Sequence, residues 1–419
     1  MPADPGIVII GASLAGAQAA RALRLDHGYD GPLTLVGDEH HLPYQRPALS
    51  KGYLLGTTEA AELDVLDPRF YAAQDVALAL GAPATLLDLD GRRVKLGRNV
   101  ELPFGQVLIA TGARPRRLRV PGADLDGVHH LRDREDSERL GAALRAASAV
   151  VVVGAGWLGC EVAAAARALG VRTTVVDPLP TPLYHVLGDR IGGAVARRHL
   201  DHGVELLTGD GVEAVLGTRS VEAVRTVAGR RVPADLVVVA VGAVPRTELA
   251  EAAGLRVDGG IVTDGHLRTS HPAALAAGDV ARHRHPRYLK PVRIEHWDNA
   301  VVHGTAAAAT LVGEPVVIDH VPYFFSTQYG STLEYVGLPT TSDRVVTRGE
   351  PGEPGFTAFW LDRGVPVAAL TMDGQMDGQD AAGHLRALVA AGHTADPRRL
   401  ADPGVPMAQL LPHTPTGVS

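Results

Sequence analysis

The chain has 419 residues, 46% of them apolar, enough to bury several cores and to divide into two to four domains. Its formal charge of −7 offers no general basic field and so argues against nucleic acid, and no apolar run approaches the roughly 20 residues of a membrane span. One cysteine, Cys160, permits no internal disulfide and excludes a redox-active pair; with no basic region ahead of a secretory core, a cytoplasmic protein is expected, with no nucleic-acid or membrane partner.

In chain order, the first element is Ile7-Val8-Ile9-Ile10, an apolar strand running into Gly11-Ala12-Ser13-Leu14-Ala15-Gly16. A second such run, Val150 to Val153, leads into Gly154-Ala155-Gly156-Trp157-Leu158-Gly159. Both read as strand, tight turn and helix start. The first glycine allows the sharp turn, the middle small residue lets backbone approach a pyrophosphate, and the last lets helix pack on strand. The helix N-terminus then presents unpaired N–H groups to phosphate. Ser13 replaces the middle glycine in the first copy. One such fingerprint says little; two imply two dinucleotides.

Second strands follow each fingerprint. Leu33–Val36 runs into Gly37-Asp38-Glu39, where Asp38 is the better candidate for a ribose ligand and Glu39 stays open. Thr173–Val176 ends at Asp177, 18 residues after Gly159, the place of a carboxylate that accepts from an adenine ribose diol. A 2′-phosphate at ~4 Å would meet repulsion on the order of 4 kcal/mol before screening, at an effective dielectric near 20. NADH is therefore expected over NADPH.

Two further apolar runs echo each other: Val107–Ala110 into Thr111-Gly112-Ala113-Arg114-Pro115, and Val237–Val241 into Gly242-Ala243-Val244-Pro245. Each reads as a buried parallel strand and turn. Another strand, Ala273–Ala277, precedes Gly278-Asp279. The chain thus reads as two copies of one nucleotide-binding module, the second inserted into the first. Helices are expected at Ala17–Leu25, at Glu161–Leu169 and from Asp298, a plausible N-cap, to about Leu311. Beyond Pro322, Phe356–Leu361 and Pro366–Thr371 suggest a hairpin and Gly378–Ala391 a last helix, a small α+β domain with a flexible tail. The fold class is α/β, with two Rossmann-like dinucleotide-binding domains and a C-terminal α+β domain. The expected boundaries are 1–115 with 246–320, 116–245, 321–411, and a tail at 412–419.

Val36-Gly37-Asp38-Glu39, Tyr44-Gln45-Arg46-Pro47-Ala48-Leu49-Ser50-Lys51, Ala110-Thr111-Gly112, Ala277-Gly278-Asp279 and Glu295-His296-Trp297-Asp298-Asn299-Ala300 closely resemble the FAD-dependent ferredoxin reductases of the putidaredoxin reductase and biphenyl-dioxygenase reductase type. The likeness runs from about residue 6 to 410. It implies a glutathione-reductase-like arrangement of FAD, NADH and C-terminal domains. It also implies hydride delivery from NADH to FAD and single electrons passed to a small iron–sulfur ferredoxin that feeds an oxygenase. By this resemblance the FAD residues include Gly11, Ser13, Leu14, Ala15, Gly16, Asp38 or Glu39, Arg46, Ala110, Thr111, Gly112, Gly278, Glu295, His296 and Trp297. Asp279 would hold the ribityl chain, Arg132 the FAD phosphates, and Lys51 the reactive flavin edge. Glu161 matches a glutamate that pairs with that lysine. The NADH residues would be Gly154, Gly156, Trp157, Leu158, Gly159, Glu161 and Asp177.

The physical sense of the lysine is independent of likeness: a fixed ammonium stabilises the negative charge of reduced flavin, and a carboxylate keeps it oriented. Lys51 is one of three lysines against 37 arginines. Trp157 either stacks on the nicotinamide or fills the core, Trp297 either covers the flavin or packs, His296 reads as a packed or hydrogen-bonded residue, and Cys160 reads as packed. No histidine has zinc-ligand spacing, so no metal is expected. Phe325 and Thr327 depart from the resembling pattern Trp-Ser-Asp-Gln, which keeps open an NADH oxidase, a reductase of a small-molecule acceptor, or a slow NADH-sensing flavoprotein. Arg114, Arg116, Arg117 and Arg119 form a basic run, either an acidic partner's landing site or a solvated linker.

Overall fold

The computed structural model describes residues 5–338, 342, 344–373, 375–376 and 379–411. The tail expected at 412–419 and the first residue of the expected last helix, Gly378, lie outside them. Tertiary contacts divide the chain into two units. One holds the residues up to Pro47, Thr58–Arg114 and Ala243–His320; the other holds Ala48–Thr57, Pro115–Gly242 and the residues from Val321. The segment Ala48–Thr57, expected with the first module, falls in the second unit. So does the C-terminal region, which was expected to stand as a domain of its own.

The first unit is built on a five-stranded parallel sheet. Ile7–Ile10 lies between Leu33–Val36 and Gln106–Ile109, with Val76–Ala79 and Ala274–Ala276 at the edges. Strand alternation sends Ile7 and Ile9 into one core with Leu23, Leu35 and Leu275, and Val8 and Ile10 into another with Val107 and Phe104. Both faces are therefore buried, which accounts for an unbroken apolar run. The helices Leu14–Leu25 and Trp297–Leu311 pack closely through alanine-rich faces. A Cβ on Gly304 would stand 2.4 Å from the Ala15 carbonyl oxygen.

The second unit repeats the plan. Its parallel sheet runs Glu205–Thr208, Arg172–Asp177, Ala149–Val153, Leu236–Val239, Val128–His129. The first edge strand follows its fingerprint late in sequence, at 274–276, whereas the second precedes its fingerprint, at 128–129. In each unit a three-stranded antiparallel sheet, at 84–103 and 212–233, precedes the Gly-Ala-x-Pro strand. These short half-exposed strands carry no continuous apolar signal, and the sequence reading passed over them.

The C-terminal region forms a five-stranded antiparallel sheet that includes the expected hairpin, here Thr357–Asp362 with Val365–Met372. One face covers Leu385, Leu388 and Val389 of the helix Ala381–Ala391. The other shares a core with Cys160, Leu183, Leu187 and Ile191 of the second nucleotide module. That common core is why this region does not separate from the module.

Behind Gly278 in the first unit, His283, His285 and His303 are fully buried, with neighbouring ring centroids 4.9–5.4 Å apart. His303 Nδ1 accepts from Gly278 N at 3.3 Å. Burial, reinforced by His285, pushes His283 down to about 4, and burial also holds His303 well below its usual range. A histidine whose folded value is depressed is protonated more readily when unfolded. Its stabilising contribution is therefore complete above about pH 6.5 and lost as pH falls toward 4. Between pH 7 and 5, His283→Asn should reduce the acid-induced loss of unfolding free energy by about 2 kcal/mol, measured by denaturant titration.

Candidate functional site

In the first unit, Gly11 has φ +129°, and a Cβ there would lie 2.1 Å from the Ala110 carbonyl oxygen. A Cβ on Gly16 would stand 2.1 Å from the oxygen of Gly11. Ser13 caps the following helix by its extended backbone alone, without a side-chain hydrogen bond to the helix. Leu14 and Ala15 open that helix and are buried. Arg46 gathers several expected residues: Nε donates to Ser13 Oγ at 3.3 Å, Nη2 to Glu39 at 2.6 Å and Nη1 to the Tyr44 hydroxyl at 3.1 Å. Desolvation would lower Arg46, yet Tyr44, Glu39 and Asp279 together hold it above its ordinary value, which brings Asp279 into the same electrostatic group.

Glu39 is thereby engaged by Arg46 and Tyr44. Asp38 pairs with Arg246 at 2.6 Å and stays half-exposed. The Ala110-Thr111-Gly112 turn is stapled from the same side: Thr111 Oγ1 donates to the Arg246 carbonyl at 2.7 Å, and Arg246 N donates to that of Gly112 at 2.9 Å. Arg293 donates to the Asp279 carbonyl at 3.2 Å and pairs with Glu295. Trp297 Nε1 donates to Gln45 Oε1 at 2.7 Å. One expectation needs correcting. The helix cap is His296, whose Nδ1 accepts from Asp298 N at 3.4 Å, and Asp298 lies in the first turn. The extended backbone falls two residues earlier than the short acidic side chain suggested. His296 is therefore a hydrogen-bonding residue.

In the second unit, Gly154 has φ +103°, and a Cβ on Gly159 would stand 1.9 Å from the Gly154 oxygen. Gly156 differs. It is exposed, has φ −76°, and a Cβ there would meet nothing within 4 Å. Open space before an uncapped helix N-terminus is the room a pyrophosphate needs, so the residues present fit a dinucleotide. Trp157 and Leu158 are half-buried, and Trp157 packs against the core that holds Cys160. Burial pushes the Cys160 thiol far up, and its Sγ meets the Ala155 carbonyl at 3.5 Å, which makes it a packing residue.

Asp177 is 8% exposed, and its two oxygens accept from Ala155 N at 2.6 Å and Leu179 N at 2.8 Å. The carboxylate thus braces the fingerprint turn, and each oxygen keeps a further lone pair. Lys51 Nζ lies 2.8 Å from Glu161 Oε1, which realises the pairing that the resemblance implied. Arg132 also lies in this unit, in the turn ahead of the helix Arg134–Ala146, and its backbone N donates to Asp136 at 3.0 Å. Lys51 and Arg132 are therefore not in the unit that carries the other expected FAD residues. Arg116, Arg117 and Arg119 are exposed; Arg114, equally exposed, is paired with Glu248.

Sequence reasoning missed several participants. Ser50 and Ser326 both donate to Glu161, Gln45 holds Trp297, and Arg246 ties Asp38 to Thr111. Gln45 and Ser50 stand in the family-like segment Tyr44–Lys51 and Ser326 matches the serine of the pattern Trp-Ser-Asp-Gln, whereas Arg246 carried no signal. Among the described residues no cluster of His, Cys, Asp and Glu is placed to hold a metal, and no helix is long and apolar enough to cross a membrane.

Two parallel sheets with a fingerprint turn each, one beside a buried glutamate paired with a lysine, define the class: an oxidoreductase built to hold two dinucleotides. Residues 5–304 match the pyridine nucleotide-disulphide oxidoreductase family and residues 323–411 the reductase C-terminal domain, and the chain belongs to that family. It is 40% identical over 354 residues to rhodocoxin reductase of Rhodococcus erythropolis, covering 84% of this chain and 83% of that one. It is 38% identical to the ferredoxin–NAD(+) reductase component of the anthranilate 1,2-dioxygenase system of Burkholderia cepacia, covering 98% and 100%. The solved covalent putidaredoxin reductase–putidaredoxin complex contains a chain with TM-score 0.92 and 34% identity, covering 97% and 98%.

The two glycines of the second turn should respond oppositely to alanine. Gly159→Ala should cost on the order of 2 kcal/mol or more by denaturant unfolding, because backbone must move. Gly156→Ala should leave stability within about 0.5 kcal/mol but weaken NADH binding about tenfold, measured by fluorescence titration.

Proposed function

We propose that this chain is an NADH-dependent ferredoxin reductase of the cytoplasm. The observation that carries the reading is the pairing of Lys51 with the buried Glu161 on the helix of the second fingerprint, in a chain with a single buried cysteine. When bound, FAD supplies a two-electron acceptor for NADH that can release its electrons singly. Gly11, Ser13, Leu14, Ala15, Gly16, Arg46, Ala110, Thr111, Gly112, Gly278, Asp279, Glu295, His296 and Trp297 would hold it, with Arg132 at its phosphates. Asp38 is favoured for its ribose, because its carboxylate, though paired with Arg246, is the more exposed of the two, while Glu39 is held by both Arg46 and Tyr44.

Gly154, Gly156, Trp157, Leu158 and Gly159 would cradle the NADH pyrophosphate, with Asp177 accepting from the ribose through its remaining lone pairs. Lys51 keeps a positive charge at one place, and Glu161 keeps the lysine from swinging into water. The acceptor reading draws on the named partners of the relatives, a ferredoxin and putidaredoxin. It also draws on Arg116, Arg117 and Arg119, an exposed basic run suited to an acidic iron–sulfur protein. The lone buried cysteine suits a reducing compartment.

Purified protein loaded with FAD should bleach on addition of NADH, and it should reduce cytochrome c only when a ferredoxin is supplied. Rapid oxygen consumption without ferredoxin would overturn the acceptor assignment in favour of an oxidase. Lys51→Met should slow flavin reduction at least about tenfold in stopped flow, the loss of one charge-assisted contact. Asp177→Ser should narrow the preference for NADH over NADPH, and an unchanged ratio would remove the ribose role.

A further inference from the structure

Glu161 is held by more than its lysine. Ser326 Oγ donates to Oε1 at 2.8 Å, the oxygen that also takes Lys51 Nζ, and Ser50 Oγ donates to Oε2. Gln328 Nε2 in turn donates to Ser326 Oγ at 3.0 Å. A hydroxyl has one proton to give. With the amide N–H on its oxygen, the proton of Ser326 is committed to the carboxylate. Ser326 and Gln328 are alternate residues of the strand Tyr323–Gln328 and are 0% and 1% exposed, while Phe325 and Thr327, which alternate with them, are half-buried. The departures from the family-like pattern thus fall on the strand face opposite to the two residues of the Glu161 network. The Phe325 ring comes within 5.8 Å of Lys51 Nζ.

The charged and titratable groups around the carboxylate are Lys51 from the 48–57 segment and Cys160 on its own helix. Beyond Gln328 stands His199, whose Nδ1 meets the Tyr329 hydroxyl at 2.6 Å. Buried hydroxyls and amides are costly to keep, and apolar residues of like volume generally pack as well or better. Their retention here calls for a directional purpose.

We propose that Ser326 and Gln328 are positioning residues for the Lys51–Glu161 pair: they fix the rotation of the carboxylate, and the carboxylate fixes the ammonium. The C-terminal strand thereby takes part in the reductive chemistry through Glu161 and Lys51. The catalytic consequence rests on the reading of Lys51 given above; the positioning does not.

Three lysines make the test direct, because ¹⁵N-lysine labelling of the FAD-loaded full chain gives three side-chain ammonium signals, and Lys51→Met identifies one of them. The protons of Lys51 should exchange with water at least tenfold more slowly than those of Lys95 and Lys290. Ser326→Ala should speed that exchange about tenfold, Ser326→Thr should leave it near the original, and Gln328→Met should shift it in the same direction as Ser326→Ala by less. Unchanged exchange in Ser326→Ala, or equal acceleration in Ser326→Thr, overturns the proposal. If Ser326→Ala does not retain the fold, Gln328→Met decides, and unchanged exchange there overturns it. In stopped flow, Ser326→Ala should lower the limiting rate of flavin reduction with the NADH dissociation constant unchanged, and should add nothing in the Lys51→Met background. A further loss in that background overturns the shared route. Should Lys51→Met alone leave the reduction rate unchanged, the functional reading of Lys51 falls while the exchange data still judge the positioning.

Discussion

A carboxylate buried among apolar side chains survives only if nearly every lone pair is answered, and Glu161 meets that demand by recruiting two distant stretches of chain. Its own helix follows the second fingerprint, Ser50 and Lys51 arrive from the 48–57 segment, and Ser326 comes from the C-terminal strand. Because each stretch has to be in place for the charge to be tolerated, the group cross-braces its unit as well as serving chemistry. Removing one partner of such a pair leaves an uncompensated charge, a loss of roughly 3–5 kcal/mol in comparable buried pairs. The common core of Cys160, Leu187, Tyr335 and Trp360 presses the same segments together by apolar burial.

The two fingerprints show how one backbone solution is used under different demands. Where strand end and helix start touch, at Gly11 with Gly16 and Gly154 with Gly159, the limit is backbone against backbone, and both copies keep glycine. At the middle position the limit is set by whatever lies outside the protein. There one copy keeps Gly156 facing open space, and the other carries Ser13, which is tied to Arg46. The two sites are thus equal in scaffold and distinct in surface chemistry.

Much of the fold was legible because buried parallel strands write unbroken apolar runs and glycine turns write fixed spacings. The module repeat, its insertion and the C-terminal hairpin all rest on such signals, and the structure contains two parallel five-stranded sheets and that hairpin. The helix cap was misread by two residues, since a histidine with the right backbone can cap as an aspartate does. What lay hidden were relations between segments. Nothing local in Ser326 or Gln328 announces a carboxylate more than 160 positions away. Nothing in Ala48–Thr57 says that it leaves its flanking module for the other unit. Polar satisfaction is a property of the folded neighbourhood, and a linear pattern does not record it.

The inserted arrangement also has a temporal side. The edge strand Ala274–Ala276 pairs with Gln106–Ile109, yet every strand of the second parallel sheet, from Val128 to Val239, is synthesised between them. On a ribosome that sheet has all its strands while the enclosing one still exposes an unpaired edge. The newborn chain therefore completes its inner module first and spends the intervening interval with an open parallel edge, a form of long-range pairing that is slow to close.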